Sequence, residues 1–470
     1  MERITLLTDL AEYYNDLSDV IRLFLGECEI SQEAGGLTIV HTMDETGHTV
    51  RIGDVVRTAP LTPVTDDELE NRRLCKRAVK NALYQAMKQY TGRKPPWGSL
   101  TGIRPTRLLY EQLSGGVDEE TACKNLETLF DVDAEKVQLL RDIVRIQSGM
   151  DMPGSNDLDV YVGIPFCRTR CSYCSFAATD LKHGAKWTEP YVEAVTREMR
   201  LVREELSARN MRGLYIGGGT PTALTRDQLA RVIDCALECF PGAKEFTVEA
   251  GRPDTIDADM LHMLKRRGVD RISLNPQTMC DRTLERVGRA HTAQDIRRVY
   301  EMMREMDFAV INMDLIMALP GETLDDVKYT LDEVAKLMPD NLTVHTLAIK
   351  RAAALRSQGY TADEHIAQEM VTLASRAARA MGLTPYYLYR QKYMAGNLEN
   401  VGYCRPGAPS IYNVDIMEEI APIAAFGAGA ISKWLYPAAR RIERAPNVKN
   451  IEQYIARVDE MAERKRTLWN

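Results

Sequence analysis

The sequence has no long hydrophobic run. Its longest apolar stretch, IAPIAAFGAGAI at 420–431, is too short and too rich in glycine to cross a bilayer. The N-terminal MERITLLTDLAEYY carries acidic residues where a signal peptide would have its apolar core. We therefore expect a cytoplasmic protein that has no membrane partner.

The sequence also has no excess of positive charge. It contains 60 Lys and Arg residues against 67 Asp and Glu residues, a net charge of -7. Because proteins bind nucleic acids largely through basic side chains on phosphates, we expect no nucleic acid partner. Ten cysteines are present, and in a reducing compartment they should stay as thiols. A tight group of cysteines would then indicate a metal centre or a catalytic site before a disulfide.

The chain has 470 residues, which is more than one compact core usually holds, so several domains are expected. Residues 1–150 mix short β-type runs with helical segments and contain no evident catalytic set. We predict a small α+β domain here, with a hairpin formed by LTIVHTMDETGHTVRI at 37–52. DMPGSNDLD at 151–159 is interpreted as a linker.

After this linker, β-type runs alternate with amphipathic helical segments. The runs are DVYVGI, GLYIGGG, EFTVEA, RISLN, AVINMDLIMAL and NLTVHTLAI. Such alternation predicts an α/β fold with a parallel sheet. Six units are too few for a full eight-stranded barrel, so we expect a partial (β/α)6 barrel over 151–383, with its chemistry at the C-terminal ends of the strands. Residues 384–470 are interpreted as a C-terminal extension that contains an aromatic-rich stretch and a charged helix at 449–466.

Three cysteines follow the first of these strands within eight residues. Cys167, Cys171 and Cys174 are spaced C-x3-C-x2-C, with no fourth cysteine or histidine nearby. Structural zinc normally has four ligands, often in C-x2-C pairs, so zinc is the weaker alternative. A 4Fe-4S cube normally takes four cysteines, and three would leave one iron open to bind and activate a ligand. Simple burial of free cysteines would not explain their spacing.

This cysteine spacing after a first strand, followed by the glycine-rich strand end YIGGGTPTAL, resembles the radical S-adenosylmethionine (SAM) superfamily. In that superfamily the open iron binds the amino and carboxylate groups of SAM, and reductive cleavage of SAM releases a 5′-deoxyadenosyl radical. Further motifs (YVGIPFC, GGGTPT, SLNPQTMCDRTLERVGRAHT, NMDLIMALPGET and FGAGAIS) resemble the oxygen-independent coproporphyrinogen III oxidase group over about 158–435. The N-terminal region and YYLYRQKYMAGNLENVGYC at 386–404 resemble its HemZ-type coproporphyrinogen dehydrogenase branch.

The resemblance implies a radical SAM barrel that carries a 4Fe-4S cluster and one or two SAM molecules. It implies oxidative decarboxylation of coproporphyrinogen III to protoporphyrinogen IX in heme biosynthesis, with a reducing electron donor such as flavodoxin or ferredoxin as partner. Two alternatives stay open, namely a heme-binding carrier with the same core and a radical SAM enzyme that acts on another substrate.

The resemblance also assigns residues to the cofactors. The positions matching contacts to SAM on the cluster are Tyr161, which is also a catalytic candidate, Gly218, Glu249 and Ile431. The positions matching contacts to a second SAM are Tyr173, Gly219, Thr220, Gln277, Arg289, Asp314 and Ala348. Each has a structural alternative, since Tyr161 and Ile431 could be core residues, Asp314 a buried cap and Arg289 a surface helix charge. Asp314 lies in the apolar run INMDLIM, where an unpaired carboxylate would be costly, and this favours a ligand or hydrogen-bonding role.

Arg390 and Gln391 in YYLYRQKYMAGN are the catalytic candidates for substrate contact. A substrate with four propionates needs cationic donors around an apolar floor, and a guanidinium can bind a carboxylate through two parallel hydrogen bonds. For Lys392, an exposed charged position above packed tyrosines, with Tyr393 among them, is the alternative interpretation.

Two positions depart from the oxidase pattern. Phe176 stands where that group has a further cysteine, and Gly163 stands where it has a histidine within the first strand motif. Both leave the three cluster cysteines intact, but they put unchanged substrate handling in doubt. Among other candidates, the cysteines at 235, 239 and 404 and the histidine at 291 are interpreted as buried structural residues.

Overall fold

The computed structural model describes residues 3–61, 65–102, 104–350, 353–392, 394–436 and 440–469. The chain forms two compact units: the first comprises Met1–Val144 with Arg390–Leu398, and the second comprises Arg145–Tyr389 with Glu399–Asn470. This division differs from the expected boundaries at 150 and 384. Most of the expected C-terminal extension belongs to the same unit as the barrel, because its strands join the barrel's sheet.

The first unit contains a mixed sheet with helices packed on it. Its strands are β1 (Arg3–Thr8), β2 (Glu29–Ser31), β3 (Leu37–Asp44), β4 (Gly47–Ile52) and β5 (Val55–Pro60), in the order β2-β1-β3-β4-β5. Its helices are α1 (Tyr14–Leu25), α2 (Glu68–Thr91), α3 (Thr106–Ser114), α4 (Glu119–Phe130) and α5 (Ala134–Ser148), the last of which runs into the start of the second unit. β3 and β4 pair in antiparallel register, Asp44 with Gly47, which is the predicted hairpin. Leu17, Ile21 and Phe24 lie on one face of α1 and are buried in the core of this unit.

The second unit is built on a large mixed sheet and a separate sheet of two short strands. Its strands are β6 (Asp157–Ile164), β7 (Phe166–Cys167), β8 (Thr179–Asp180), β9 (Asn210–Gly218), β10 (Glu245–Gly251), β11 (Arg271–Leu274), β12 (Val310–Met317), β13 (Asn341–Thr346), β14 (Thr384–Tyr389), β15 (Asn400–Cys404), β16 (Ile423–Phe426), β17 (Ile431–Tyr436) and β18 (Arg441–Pro446). The separate sheet consists of β7 and β8. Its helices are α6 (Leu181–Gly184), α7 (Thr188–Leu201), α8 (Arg203–Leu206), α9 (Arg226–Cys239), α10 (Ala258–Arg266), α11 (Asp281–Arg286), α12 (Ala293–Glu305), α13 (Leu324–Leu337), α14 (Ala354–Ser357), α15 (Glu364–Ala380), α16 (Ile411–Glu418), α17 (Ile451–Ala456) and α18 (Val458–Trp469).

The six predicted β-type runs form six consecutive parallel strands, in the order β6-β9-β10-β11-β12-β13. This confirms the predicted partial barrel. Residues of β11 are all buried and those of β6 nearly so, as expected for parallel strands covered on both faces. Helices α9, α10, α12 and α13 begin at side-chain caps, and Thr225 with Gln228 forms the predicted capping box of α9.

The C-terminal part extends this sheet at both edges. β15 and β14 add to β13 in antiparallel fashion, while β16 pairs in parallel with β6 and continues into β17 and β18. The helix expected over 449–466 is two helices, α17 and α18, which meet at Arg457. No helix in the described ranges combines the length and the apolar character needed to cross a membrane.

Candidate active site

The three-cysteine loop follows directly from the C-terminal end of β6. Cys167 lies in the short strand β7, which pairs in parallel with β8, and the backbone N–H of Thr179 donates to the carbonyl of Pro165 at 2.8 Å. The loop that carries Cys171 and Cys174 therefore starts and ends at neighbouring points. No disulfide joins any of the cysteines in the described part of the chain.

This loop is held to the rest of the barrel by contacts that the sequence does not reveal. The N–H of Ser172 donates to the carbonyl of Val287 at 3.0 Å. The buried guanidinium of Arg252 donates to the carbonyl of Thr169 at 3.1 Å, and two further N–H groups of Arg252 donate to the Asp254 carboxylate at 2.9 Å each. Because Arg252 lies just beyond β10, it links the cysteine loop to the neighbouring strand end. A lone arginine after a strand gave no signal of this role.

The three cysteines of this loop are half-buried. Burial raises the pKa of Cys167 to about 11, although the Thr220 hydroxyl, which donates to its Sγ at 3.6 Å, opposes the shift. The nearby thiols of Cys174 and Cys171 raise the pKa of Cys167 further. Burial also raises the pKa of Cys174. Thiols bind iron as thiolates, so loading a cluster at this loop would release protons.

The glycine-rich end of β9 lies directly against this loop. A Cβ at Gly219 would stand 2.6 Å from the Phe166 carbonyl oxygen and 3.1 Å from the Cys167 sulfur. Gly218 has φ +112°, a backbone conformation that strongly favours glycine, and a Cβ there would stand 3.1 Å from the Ile164 nitrogen. The backbone here approaches the cysteine loop as closely as only glycine permits.

Glu249 lies in β10, and its carboxylate contacts the glycine-rich end of β9. Its carboxylate accepts from the Tyr215 hydroxyl at 2.5 Å and from the Gly218 N–H at 3.0 Å. Burial raises the pKa of Glu249 to about 7, and the nearby Asp314 adds to the shift, whereas the two hydrogen bonds oppose it. A buried carboxyl poised near neutrality is suited to hold a cationic ligand. Tyr215 was missed by the sequence analysis, because an aromatic residue within a strand normally indicates only core packing.

Tyr161 is part of an aromatic stack beside this carboxyl. Its ring stacks on those of Tyr215 and Tyr412, with centroid distances of 6.2 and 6.3 Å. Burial raises the pKa of Tyr161, and Glu249 adds to the shift. Ile431, at the start of β17, is 43% exposed, so it is not a core residue.

The turn before β17 is supported from beneath by a buried ion pair. The N–H of Gly427 donates to Glu198 at 2.9 Å, and the other oxygen of Glu198 accepts from Lys465 Nζ at 2.5 Å. Both charged side chains are fully buried. The Tyr191 hydroxyl donates to the carbonyl of Gly163 at 2.6 Å. A Cβ at Gly163 would stand 3.2 Å from the Tyr161 ring, so glycine at this position relieves a tight contact.

A second polar group lies along the barrel interior, at the ends of β11 and β12. Arg289 is buried and donates to the Tyr173 hydroxyl at 3.1 Å, so it is not a surface charge. Asp314 accepts from Asn312 at 2.8 Å, and His345 lies 3.8 Å away. Although burial pushes the pKa of Asp314 up, these neighbours push it further down, so the pKa is lowered.

Gln277 stands in an unusual conformation within this interior. It has φ 69°, and the backbone is held there because its N–H donates to the Asp314 carbonyl at 2.9 Å and its own carbonyl accepts from Ile316 at 3.0 Å. Its side-chain oxygen is buried with no hydrogen-bond partner among the described residues, and the same holds for the Asn275 side-chain oxygen. Strained backbone and unpaired buried amide oxygens are costly, and both fit an interior built around a polar ligand. Ala348 follows β13 and is half-buried.

The structure does not support substrate contact by Arg390. Its guanidinium is buried in the first unit, where it donates to the carbonyls of Leu100 at 2.6 Å and Asn397 at 2.8 Å and lies over the Trp97 ring at 5.4 Å. The guanidinium N–H groups that would bind a substrate carboxylate therefore donate to backbone carbonyls instead. Arg390 is corrected from a substrate contact to a structural residue. Gln391 is partly exposed and stays a prediction.

The other residues of that stretch are also placed. Lys392 forms an exposed ion pair with Asp19 at 2.9 Å, while Tyr393 lies outside the described residues. Phe176 is 68% exposed, whereas the cysteines 235, 239 and 404 and His291 are buried, as expected for structural residues.

The chain is similar in sequence to known proteins. A family model described as the radical SAM superfamily matches residues 161–334. The chain is 35% identical over 474 residues to the oxygen-independent coproporphyrinogen-III oxidase-like protein HemZ of Bacillus subtilis, covering 96% of this chain and 94% of that protein. It is also 33% identical over 193 residues to the heme chaperone HemW of Bacillus subtilis, covering 40% of this chain and 50% of that protein.

A solved structure shows the same fold. Coproporphyrinogen III oxidase HemN from Escherichia coli, described as a radical SAM enzyme, superposes with a TM-score of 0.54 at 24% sequence identity. The superposition covers 65% of this chain and 70% of that chain.

Proposed function

Since this chain belongs to the radical SAM superfamily, and within it to the oxygen-independent coproporphyrinogen III oxidase group with the HemZ-type proteins, we propose that it decarboxylates coproporphyrinogen III oxidatively to protoporphyrinogen IX. The observation that carries this proposal is the position of the three-cysteine loop against Gly218, Gly219 and Glu249 at one end of the barrel. Likeness to an oxidase-like protein over almost the whole chain supports the substrate class.

The residues present fit the cofactors of this superfamily. Cys167, Cys171 and Cys174 would hold a 4Fe-4S cluster, and the close backbone approach at Gly219 leaves room for no side chain between that loop and β9. Glu249 and the Gly218 backbone would hold SAM at the open iron. When bound, the cluster and SAM supply the one-electron chemistry that produces an organic radical.

The chain's own residues would bind and orient the reactants. The Glu249 carboxylate would pair with the ammonium of SAM, held in place by the Tyr215 hydroxyl. Tyr161 and Ile431 would cover the apolar parts of the cofactor. The polar interior would hold a second SAM, because the Gln277 side-chain oxygen is buried there with no hydrogen-bond partner among the described residues. The residues that would surround this second SAM are Tyr173, Gly219, Thr220, Gln277, Arg289, Asp314 and Ala348.

The proposed reaction needs an external oxidant that accepts one electron for each propionate. Each of two propionates loses CO2, one hydrogen atom and one electron, and a vinyl group remains. When bound, SAM would supply the group that accepts the hydrogen atom, and an external one-electron acceptor would take the electron. A separate low-potential donor such as flavodoxin or ferredoxin would reduce the cluster before each turnover.

Heme carriage is a second candidate, favoured by two observations. The chain resembles a heme chaperone over 40% of its length, and the position of the further cysteine of the oxidase pattern is occupied by the exposed Phe176. Heme titration separates the two functions, because a carrier would give a stable stoichiometric Soret band without turnover.

The decisive experiment is an anaerobic assay of cluster-loaded protein with SAM, a reductant, coproporphyrinogen III and an electron acceptor. Product masses should show the loss of two CO2 and the appearance of two vinyl groups, with 5′-deoxyadenosine formed in parallel. Formation of 5′-deoxyadenosine without any vinyl product would reject the substrate while leaving the radical SAM chemistry intact.

A further inference from the structure

A cavity of about 750 Å³ lies beside the cysteine loop. One wall is formed by Arg170, Cys171 and Ser172, and the other, around α14, by Ala353, Ala354, Arg356 and Ser357. The N–H of Leu355 donates to the carbonyl of Ser172 at 3.0 Å, so the two walls are joined by a backbone hydrogen bond. The cavity is therefore a defined feature between two connected segments.

The cavity lies at the mouth of the partial barrel. The first wall follows β6 and the second follows β13, which are the first and last of the six parallel strands. Both segments leave the C-terminal ends of these strands, where barrels of this type carry out their chemistry. A ligand in the cavity would lie next to the cluster-binding loop.

The lining is cationic in a chain of net charge -7. Two arginines, Arg170 and Arg356, line the cavity, and its described lining residues include no carboxylate. Ser357 adds a hydroxyl to the lining. Guanidinium pairs with carboxylate through parallel hydrogen bonds, so the lining suits a ligand that carries several carboxylates.

We propose that this cavity binds propionate carboxylates of the tetrapyrrole through Arg170 and Arg356. The inference rests on the proposed function and deepens it, because it assigns to these two arginines the role that the sequence suggested for Arg390. Carboxylate is also part of SAM, so the experiment must separate the tetrapyrrole from SAM as the source of the carboxylate.

The test measures binding without turnover. Cluster-loaded protein without SAM is equilibrated anaerobically with coproporphyrinogen III or with its tetramethyl ester, and bound ligand is quantified after oxidation to the fluorescent porphyrin. The variants are Arg170→Gln, Arg356→Gln and the double variant. Arg203→Gln is the matched control, because Arg203 forms an exposed ion pair with Glu238 at 3.0 Å. SAM affinity, iron content and melting temperature are measured for each variant.

We expect each single variant to weaken binding of the tetra-acid about tenfold, since a hydrogen bond to a charged group is lost. Binding of the ester, SAM affinity and iron content should match the wild type, and the control should bind the tetra-acid normally. Wild-type binding of the tetra-acid in both single variants and the double variant would overturn the cavity assignment and leave the proposed function standing. An equal loss for acid and ester, or a loss of SAM affinity instead, would also overturn it. If the wild type does not bind the tetra-acid at all, both the cavity assignment and the proposed substrate fail.

Discussion

Gly219→Ala should disable cluster binding through a single methyl group. Gly219 is linked to the start of the cysteine loop, because its N–H donates to the Ile164 carbonyl at 2.8 Å and the next N–H, of Thr220, donates to the Phe166 carbonyl at 2.7 Å. The new Cβ would stand 2.6 Å from that same Phe166 oxygen and 3.1 Å from the Cys167 sulfur. The added methyl group would therefore push apart two segments that these hydrogen bonds hold together.

The expected magnitude follows from the required displacement. Heavy atoms in contact prefer separations of about 3.5 Å or more, so the loop or the strand end must move by about 1 Å. A misplacement of about 1 Å at a reacting centre can cost about 100-fold in rate. We expect a reduced iron content after anaerobic reconstitution and a fall of about 100-fold in the rate of 5′-deoxyadenosine formation.

The assay needs a control for the Gly-to-Ala change itself. Gly35→Ala serves, because its Cβ would meet no atom within 4 Å and its φ is not in the left-handed region. That variant should retain wild-type iron content and SAM cleavage. Gly219→Ala with wild-type iron content and a wild-type cleavage rate would show that β9 does not shape the cluster site.

Four further predictions concern Cys171, Glu249, Arg390 and Lys465. Cys171→Ala should abolish reductive SAM cleavage, measured as 5′-deoxyadenosine, whereas Cys235→Ala should retain it; cleavage at the normal rate in the first variant would reject the cluster assignment. Because burial raises the pKa of Glu249 to about 7, its carboxylate form accumulates as pH rises, and SAM affinity should increase roughly tenfold between about pH 6 and about pH 8. Glu249→Gln should flatten that pH profile of SAM binding, and an unchanged profile would contradict the role. Arg390→Lys should lower the free energy of unfolding by about 1–3 kcal/mol, since buried carbonyls lose donors; a wild-type denaturant midpoint with altered substrate binding would restore the substrate role. Lys465→Met leaves a buried carboxylate unpaired and should cost about 3–5 kcal/mol in a denaturation experiment, so a loss below about 1 kcal/mol would show that the charge is compensated.

The local pattern of the sequence was enough to predict the barrel. Each of the six β-type runs became a parallel strand in sequence order, because short apolar runs between amphipathic helices have few other stable arrangements. The hairpin at Asp44–Gly47 and the capping box at Thr225 were also predictable, since both depend on residues a few positions apart.

Local sequence patterns do not predict contacts between residues that are far apart in the chain. The alternation of strands and helices does not show that residues 390–398 belong to the first unit. The sequence therefore predicts a substrate contact for Arg390, whereas its guanidinium donates to backbone carbonyls. In the same way, neither Arg252 nor Lys465 carries a local signal of its buried partners.

The sequence by itself therefore determined the order of the strands, the cysteine spacing and the glycine-rich strand end, because these depend on residues that are neighbours in the chain. Only the tertiary structure decided that Glu249 is shared by Tyr215 and Gly218, and that Arg170 and Arg356 face one cavity. The physical reason is that such contacts join strands and loops far apart in the chain. Their geometry is set by how the sheet curves and how the helices pack on it, and no local pattern of residues encodes either.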